Sequence, residues 1–215
     1  MTPKEAVVAR PRFQKLDPET RRKILETAAA EFAARGFEGT SLNQLLDLLD
    51  LSKGSFYYYF DDKADLFTTV TDYAWKIMLP VEDLDLGDLD ANAFWPTLEL
   101  LMREARARVR EKPWLVGLTR LMYDPPEVVG VREALAEKSA EARQWQEDLI
   151  RRGQEVGTVR SDLPAELLQV LLVGADEAGD QWFVANWHRL DESEIERLFD
   201  EVFAIFRRML EPPPG

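Results

Sequence analysis

The chain has 215 residues, with 27 Lys and Arg against 40 Asp and Glu, a formal net charge of −13 and no Cys. The absence of Cys excludes disulfides, thiolate catalysis and cysteine metal sites, and we predict neither a metal site nor a cofactor. No apolar signal segment and no run of about 18 apolar residues is present, so we expect a cytoplasmic protein with no membrane partner.

The acidic residues are unevenly distributed along the chain. Residues 1–60 hold nine basic and eight acidic side chains, whereas the rest of the chain holds 18 and 32. The N-terminal part is therefore free of the negative field that would repel a nucleic acid. Before the first predicted helix, four basic residues oppose a single acidic one, and we interpret residues 1–16 as a basic flexible arm. The four are Lys4, Arg10, Arg12 and Lys15.

Three helices are predicted in residues 17–62. Asp17-Pro18-Glu19 is a typical helix start, and apolar residues then recur every three or four positions until Gly36. Thr40 or Ser41 begins a second, short helix, and Ser52 is a suitable N-cap for a third. A longer helix followed by two short ones joined by a tight turn predicts a helix-turn-helix.

The third predicted helix has two different faces. Phe56 and Phe60, one turn apart, fall on an anchoring stripe, while Lys53, Tyr57 and Tyr58 point away from it. Hydroxyls and an ammonium group on a surface helix are suited to phosphate contacts. The alternative is that the tyrosines merely cover a helical hairpin.

The motif Ser-Lys-Gly-Ser-Phe-Tyr-Tyr-Tyr-Phe at 52–60, with the preceding helix pattern, resembles the tetracycline-repressor (TetR) family of transcription regulators over about residues 20–67. Asp50 departs from the family pattern, which commonly has glycine there. Asp tolerates the left-handed conformation such a turn needs. The resemblance implies that nine residues face DNA. They are Thr40, Ser41, Ser52, Lys53, Gly54, Ser55, Tyr57, Tyr58 and Lys63.

The remainder of the chain also has helical periodicity, with no credible alternating strand. We predict an all-α fold of about nine helices. By the resemblance, a fourth helix links the helix-turn-helix to a larger effector-binding and dimerisation domain at residues 63–215. Its last two helices are expected to form the interface of a homodimer. The candidates for this interface are Leu167, Leu171, Trp182, Leu198, Val202 and Phe206.

A ligand pocket is a further hypothesis, because such pockets are lined by aromatic and aliphatic side chains with a few polar groups. Asp176 and Asp180, one helical turn apart in an otherwise apolar helix, suggest an aromatic or cationic small-molecule effector. The alternatives are that the aromatic residues belong to the core and the acids to a solvated face. The candidates are Trp75, Trp95, Met102, Trp114, Met122, Tyr123, Trp145, Asp176, Asp180 and Phe183.

Together these features predict a dimeric DNA-binding regulator, most simply a repressor that binds a near-palindromic double-stranded operator and is released by an effector. An enzyme is a weak alternative, because there is one histidine, His188, no Cys, no phosphate-binding glycine loop and no metal-ligand spacing. A helical adaptor or architectural DNA-binding protein without an effector is a second alternative. An observed ligand site would distinguish it from a regulator.

Overall fold

The computed structural model describes residues 11–78, 81, 84–123, 125–128 and 130–213. Over these residues the chain forms nine α-helices and no strand, which confirms the predicted all-α fold. Short 3-10 turns occur at Phe13–Lys15, Leu86–Asp88 and Trp187–Arg189. The helices are α1 Pro18–Gly39, α2 Leu42–Leu49, α3 Lys53–Tyr59, α4 Lys63–Met78, α5 Phe94–Glu111, α6 Trp114–Tyr123, α7 Val131–Glu155, α8 Ala165–Asn186 and α9 Glu192–Leu210.

The first helices begin at the residues that their capping patterns predict. The Asp17 side chain accepts a hydrogen bond from the Thr20 backbone N–H at 2.9 Å, and proline follows it. Asp62 accepts one in the same way from the Asp65 N–H at 2.8 Å at the start of α4. α1 is broken at Gly36, whose φ of 72° favours glycine, where the sequence predicted its end.

The chain divides into two compact units. The first comprises Met1–Pro80 and Arg106–Ser139, and the second comprises Val81–Ala105 and Ala140–Gly215. This division differs from the predicted boundary at residue 62, because α4 and α6 both pack against α1 in the first unit. The helix-turn-helix thus shares its core with residues far along the chain.

Aromatic side chains dominate the core of the first unit. Phe32, Phe37 and Phe67 pack edge to face or stacked, with ring centroids 5.0 to 6.1 Å apart. Phe13 is also fully buried, so residues 11–16 are not the flexible arm that we predicted. Residues 1–10 of that arm lie outside the described residues. The error arose because the partners of Phe13 lie more than 40 positions away in the sequence.

α6 approaches α1 closely in the same unit. A Cβ atom built on Gly117 would lie 2.6 Å from Ala33 Cβ, so only glycine fits there without a shift. Beside this contact Glu26 of α1 accepts from Lys112 and, at 3.1 Å, from the Tyr73 hydroxyl. These hydrogen bonds lower the pKa of Glu26 against the opposing effect of its partial burial. Glu26 thereby joins α1 to Tyr73 of α4 and to Lys112, which lies just before α6.

The second unit has its own core, which includes Phe94, Trp95, Ile150 and Leu168. A Cβ on Gly153 would meet Val159 and Phe94 at 2.3 and 2.7 Å, a sign of close packing at the end of α7. The segment before α5 is held by Arg152, which donates to the carbonyl oxygens of residues 87 and 89 at 2.9 Å. None of the described helices is long and apolar enough to cross a membrane.

Candidate functional site

The turn between α2 and α3 sets the direction of the third helix. Asp50 ends α2 in the left-handed conformation, with φ 51° and ψ 41°, which its short side chain tolerates. Ser52 then caps α3, because its Oγ accepts from the Ser55 N–H at 3.0 Å, as the sequence predicted. The two serine hydroxyls are themselves 2.8 Å apart.

α3 presents one buried and one exposed face. Phe56 on the helix and Phe60, its C-cap, are fully buried and lie 5.4 Å apart. Tyr57 and Tyr58 on the other side are 41% and 48% exposed, and Lys53 is also exposed. A Cβ on Gly54 would meet nothing closer than 3.8 Å. The helix therefore offers hydroxyls, an ammonium group and accessible backbone on one surface, which is what contacts with a phosphate chain require.

The two residues that precede α2 have different environments. Thr40 is buried, and its hydroxyl donates to the Gly36 carbonyl at 2.7 Å, so its side chain closes the end of α1 and does not face outward. This corrects its predicted role as a DNA-facing residue. Ser41 is the N-cap residue of α2 and is exposed, and its hydroxyl makes no capping hydrogen bond.

Lys63 has a structural role that the sequence did not reveal. Its Nζ donates to the carbonyl oxygens of Phe37 at 2.8 Å and Thr40 at 3.0 Å. It also lies 4.3 Å from the centroid of the Phe37 ring. Two of its three N–H donors are thus engaged within the protein, so the main role of Lys63 is to join α4 to the end of α1. Its predicted phosphate contact would be left with the third donor.

Four of the ten predicted ligand residues belong to the first unit. Trp114 stacks on Tyr73 with centroids 6.3 Å apart. Trp75 is half-buried, and its Nε1 has no hydrogen-bond partner within the described part of the chain. Met122 and Tyr123 lie in α6, but their side chains are outside the described residues.

The other six belong to the second unit, and two of them are core residues. Trp95 is buried against Phe94, with the Arg207 guanidinium 5.3 Å from its ring centroid. Phe183 is buried and stacks on Phe199 with centroids 4.4 Å apart. Trp95 and Phe183 therefore have the environment of core residues, which was the alternative to a ligand pocket. Met102 and Trp145 are half-buried.

Asp176 lies on an unusual part of α8. It is seven residues, or two turns, from both Gln169 and Phe183, which are buried on the same face. Asp176 itself is exposed, as solvent reaches this face at its level. Burial among neighbouring side chains and repulsion from Asp180 and Glu177 raise its pKa to about 7.

The opposite face of α8 carries exposed apolar side chains. Leu167, Leu171 and Trp182, three of the predicted interface residues, are exposed. The other three, on α9, are half-buried in the single chain; they are Leu198, Val202 and Phe206. Val170 and Ile205 are 63% and 53% exposed and were not among the predicted interface residues. The spacing of Val170, three residues after Leu167, was the available sign.

The sequence matches the family described as bacterial regulatory proteins, tetR family, over residues 24–70. It is 23% identical over 192 residues to a protein of Escherichia coli named "Probable acrEF/envCD operon repressor", covering 87% of each chain. It is 28% identical over 155 residues to an HTH-type transcriptional repressor of Mycobacterium tuberculosis, covering 71% of this chain and 75% of that protein.

The fold is similar to that of solved regulators. The structure of TylP, a TetR regulator from Streptomyces fradiae, superposes with a TM-score of 0.68 at 23% identity and covers 91% of this chain and 88% of that one. These relatives are regulators and not enzymes, and members of the family bind DNA as dimers. The chain is therefore similar to the TetR family of bacterial transcription regulators, with the family match at residues 24–70.

Proposed function

We propose that the protein is a repressor that binds a near-palindromic operator as a homodimer, through the exposed face of α3, and leaves the DNA when a cationic organic effector binds its second unit. The observation that carries this proposal is the two-faced α3. Its exposed face offers Lys53, Gly54, Tyr57 and Tyr58, while Phe56 and Phe60 fix the helix to the core.

In this proposal some side chains contact the phosphate backbone and others contact the bases. The tyrosine hydroxyls with Ser41 and Ser52 bind phosphate oxygens and set the position of the protein on the duplex. Lys53, Gly54 and Ser55, at the start of α3, are nearest to base edges in the major groove. Thr40 is not included, since its hydroxyl is used inside the protein.

Dimerisation rests on the exposed apolar side of α8 and α9. Exposed apolar side chains three, four and eleven positions apart on a helix are typical of a surface that a second helix covers. Leu167, Val170, Leu171 and Trp182 provide this pattern on α8, and Ile205 on α9. Two such faces related by a twofold axis would bury each other, and two copies of α3 would then contact successive major grooves.

The effector proposal is supported by Asp176 and Asp180. They lie one turn apart on the α8 face that also carries the buried Gln169 and Phe183; Asp180 is half-buried, and solvent reaches Asp176. A protonated amine or quaternary ammonium group would relieve the repulsion between the carboxylates, and aromatic residues would hold its apolar part. The effector releases DNA only to the extent that it binds the DNA-free conformation more tightly.

The DNA-binding proposal is tested by selecting bound fragments from random and genomic DNA and then measuring the affinity of variants for them. Tyr57→Phe and Lys53→Ala should each weaken binding to all sequences, and Lys53→Ala should also flatten the salt dependence by about one ion. Lys76→Ala is the control, because Lys76 is an exposed lysine paired with Asp72 on α4. Equal affinities in all these proteins would reject the assignment.

The effector proposal is tested with matched pairs of organic cations and their neutral analogues. Cations should raise the melting temperature and release DNA, whereas neutral analogues should not. Because Asp176 titrates near neutral pH, binding should be tighter at pH 8 than at pH 6, where its carboxyl is largely protonated. Asp180→Asn should weaken the response; cations that act equally on this variant would contradict the assigned site.

A further inference from the structure

The residues just before α1 are fixed against the end of α3. Phe13 is fully buried, with its ring centroid 4.8 Å from that of Phe60 and 6.2 Å from that of Tyr59. Arg21 secures the same segment by donating to the Gln14 carbonyl at 3.1 Å. The backbone on either side of Phe13 is therefore held beside the helix that carries the exposed tyrosines.

This anchoring places Arg12 on Tyr58. The Arg12 guanidinium carbon lies 4.5 Å from the centroid of the Tyr58 ring, a cation–π contact. Tyr59 packs edge-on to the same ring, with centroids 5.3 Å apart. Tyr58 is thus held by two neighbours while almost half of its surface remains exposed. Its ring orientation is fixed before any partner arrives.

A stacked guanidinium keeps its ability to bind an anion. Its N–H groups lie in the plane of the group and point outward from its edges, so contact of one face with a ring leaves them directed away from that ring. They are suited to two parallel hydrogen bonds with a phosphate. Arg12 is exposed, and its charge lies over the ring that carries the Tyr58 hydroxyl.

We propose that Arg12 is a DNA-backbone contact that acts together with Tyr58. Arg12 binds a phosphate next to the one that the Tyr58 hydroxyl contacts, and its cation–π contact helps to hold that tyrosine in place. The contact is to the phosphate chain, so it contributes affinity and position and not base preference. This inference depends on the proposed function, because it assumes that the exposed face of α3 meets DNA.

The test measures affinity for a selected fragment and for unrelated DNA over a range of salt concentrations. Arg12→Ala should weaken both by roughly tenfold and lower the slope of log K against log salt by about one. Lys15→Ala is the matched control, because it removes one positive charge from the same segment, three residues away and exposed. Its effect should be clearly smaller. Equal effects of Arg12→Ala and Lys15→Ala would overturn the proposal.

A double-variant comparison tests whether the two residues act together. Tyr58→Phe keeps the ring and removes the hydroxyl, and the Arg12→Ala/Tyr58→Phe protein should lose less affinity than the two single losses multiplied. Fully multiplicative losses would overturn the joint role.

Two further comparisons distinguish a structural role of Arg12 from a failure of the proposed function. Arg12→Lys keeps the charge and should recover part of the affinity. If Arg12→Ala weakens DNA binding only under conditions in which its lower melting temperature leaves it partly unfolded, Arg12 is structural and the proposal fails. If Lys53→Ala and Tyr57→Phe weaken binding but Arg12→Ala does not, this inference fails alone. If none of the three weakens binding, the proposed function fails with it.

Discussion

The absence of a side chain at Gly117 allows α6 to approach α1 closely. Gly117→Ala would put a Cβ atom 2.6 Å from Ala33 Cβ and 3.0 Å from the Ala33 carbonyl oxygen. Backbone cannot move aside cheaply, so we expect a loss of about 1–3 kcal/mol in the free energy of unfolding, measured by denaturant titration.

Gly54→Ala is the matched control for that substitution. Its added Cβ would find the nearest atom at 3.8 Å, so the stability should stay level or rise slightly, as alanine favours helix. Its cost should be confined to DNA affinity, because the methyl group would obstruct a close approach to the groove. A Gly117→Ala protein as stable as Gly54→Ala would contradict the packing of α6 on α1.

The raised pKa of Asp176 leads to a prediction about the pH dependence of stability. Its pKa in the folded protein is raised to about 7 from an ordinary value of 3.8. The folded state therefore binds more protons than the unfolded state between those values, and this group's contribution to stability falls as pH rises through that window. Above about pH 7 the whole penalty is present.

Asp176→Asn should remove that pH dependence. The difference in melting temperature between this variant and the original protein should favour the variant, and by clearly less at pH 5 than at pH 8. Asp148→Asn, on the exposed side of α7, controls for the loss of one negative charge. A difference that is the same at both pH values would mean that Asp176 titrates normally.

Among the elements, α3 was the most predictable and the segment before α1 the least. The Ser52 cap, the two buried phenylalanines and the exposed tyrosines follow from spacing within one short helix, which local sequence determines. Phe13 packs on residues more than 40 positions away, and nothing near it in the sequence indicates this. The same holds for Asp176, whose solvent exposure depends on the elements around α8.

The junction of α1 and α4 depends on Lys63, again over a long separation in sequence. Lys63→Met keeps a flexible side chain but removes the cation–π contact with the Phe37 ring and both hydrogen bonds to the carbonyls of residues 37 and 40. We expect a loss of about 1–3 kcal/mol in the free energy of unfolding, because partly buried carbonyl oxygens lose charged donors.

Lys76→Ala provides the comparison for Lys63→Met, since it removes a lysine of α4 from an exposed ion pair, worth about 0–1 kcal/mol. Denaturant titration of both variants measures the difference. Similar losses would show that the Lys63 hydrogen bonds do not join the helices.

The proposed binding to a near-palindromic operator requires two copies of the chain. Leu171→Arg places a charge on the exposed apolar side of α8 and should convert the dimer to a monomer in light scattering, with a large loss of operator affinity. Leu100→Arg is the control, because Leu100 is a similarly exposed leucine on α5. Dimers that persist in Leu171→Arg would show that another surface forms the interface.

We propose above all that two copies of α3 bind DNA through their exposed faces. A hydroxyl-radical footprint of a selected fragment tests it most directly. We predict two protected segments, with centres about 34 Å apart or a multiple of that distance, both requiring a higher protein concentration in Lys53→Ala but not in Lys76→Ala. A single protected segment, or a Lys53→Ala footprint that forms at the original concentration, would contradict the claim.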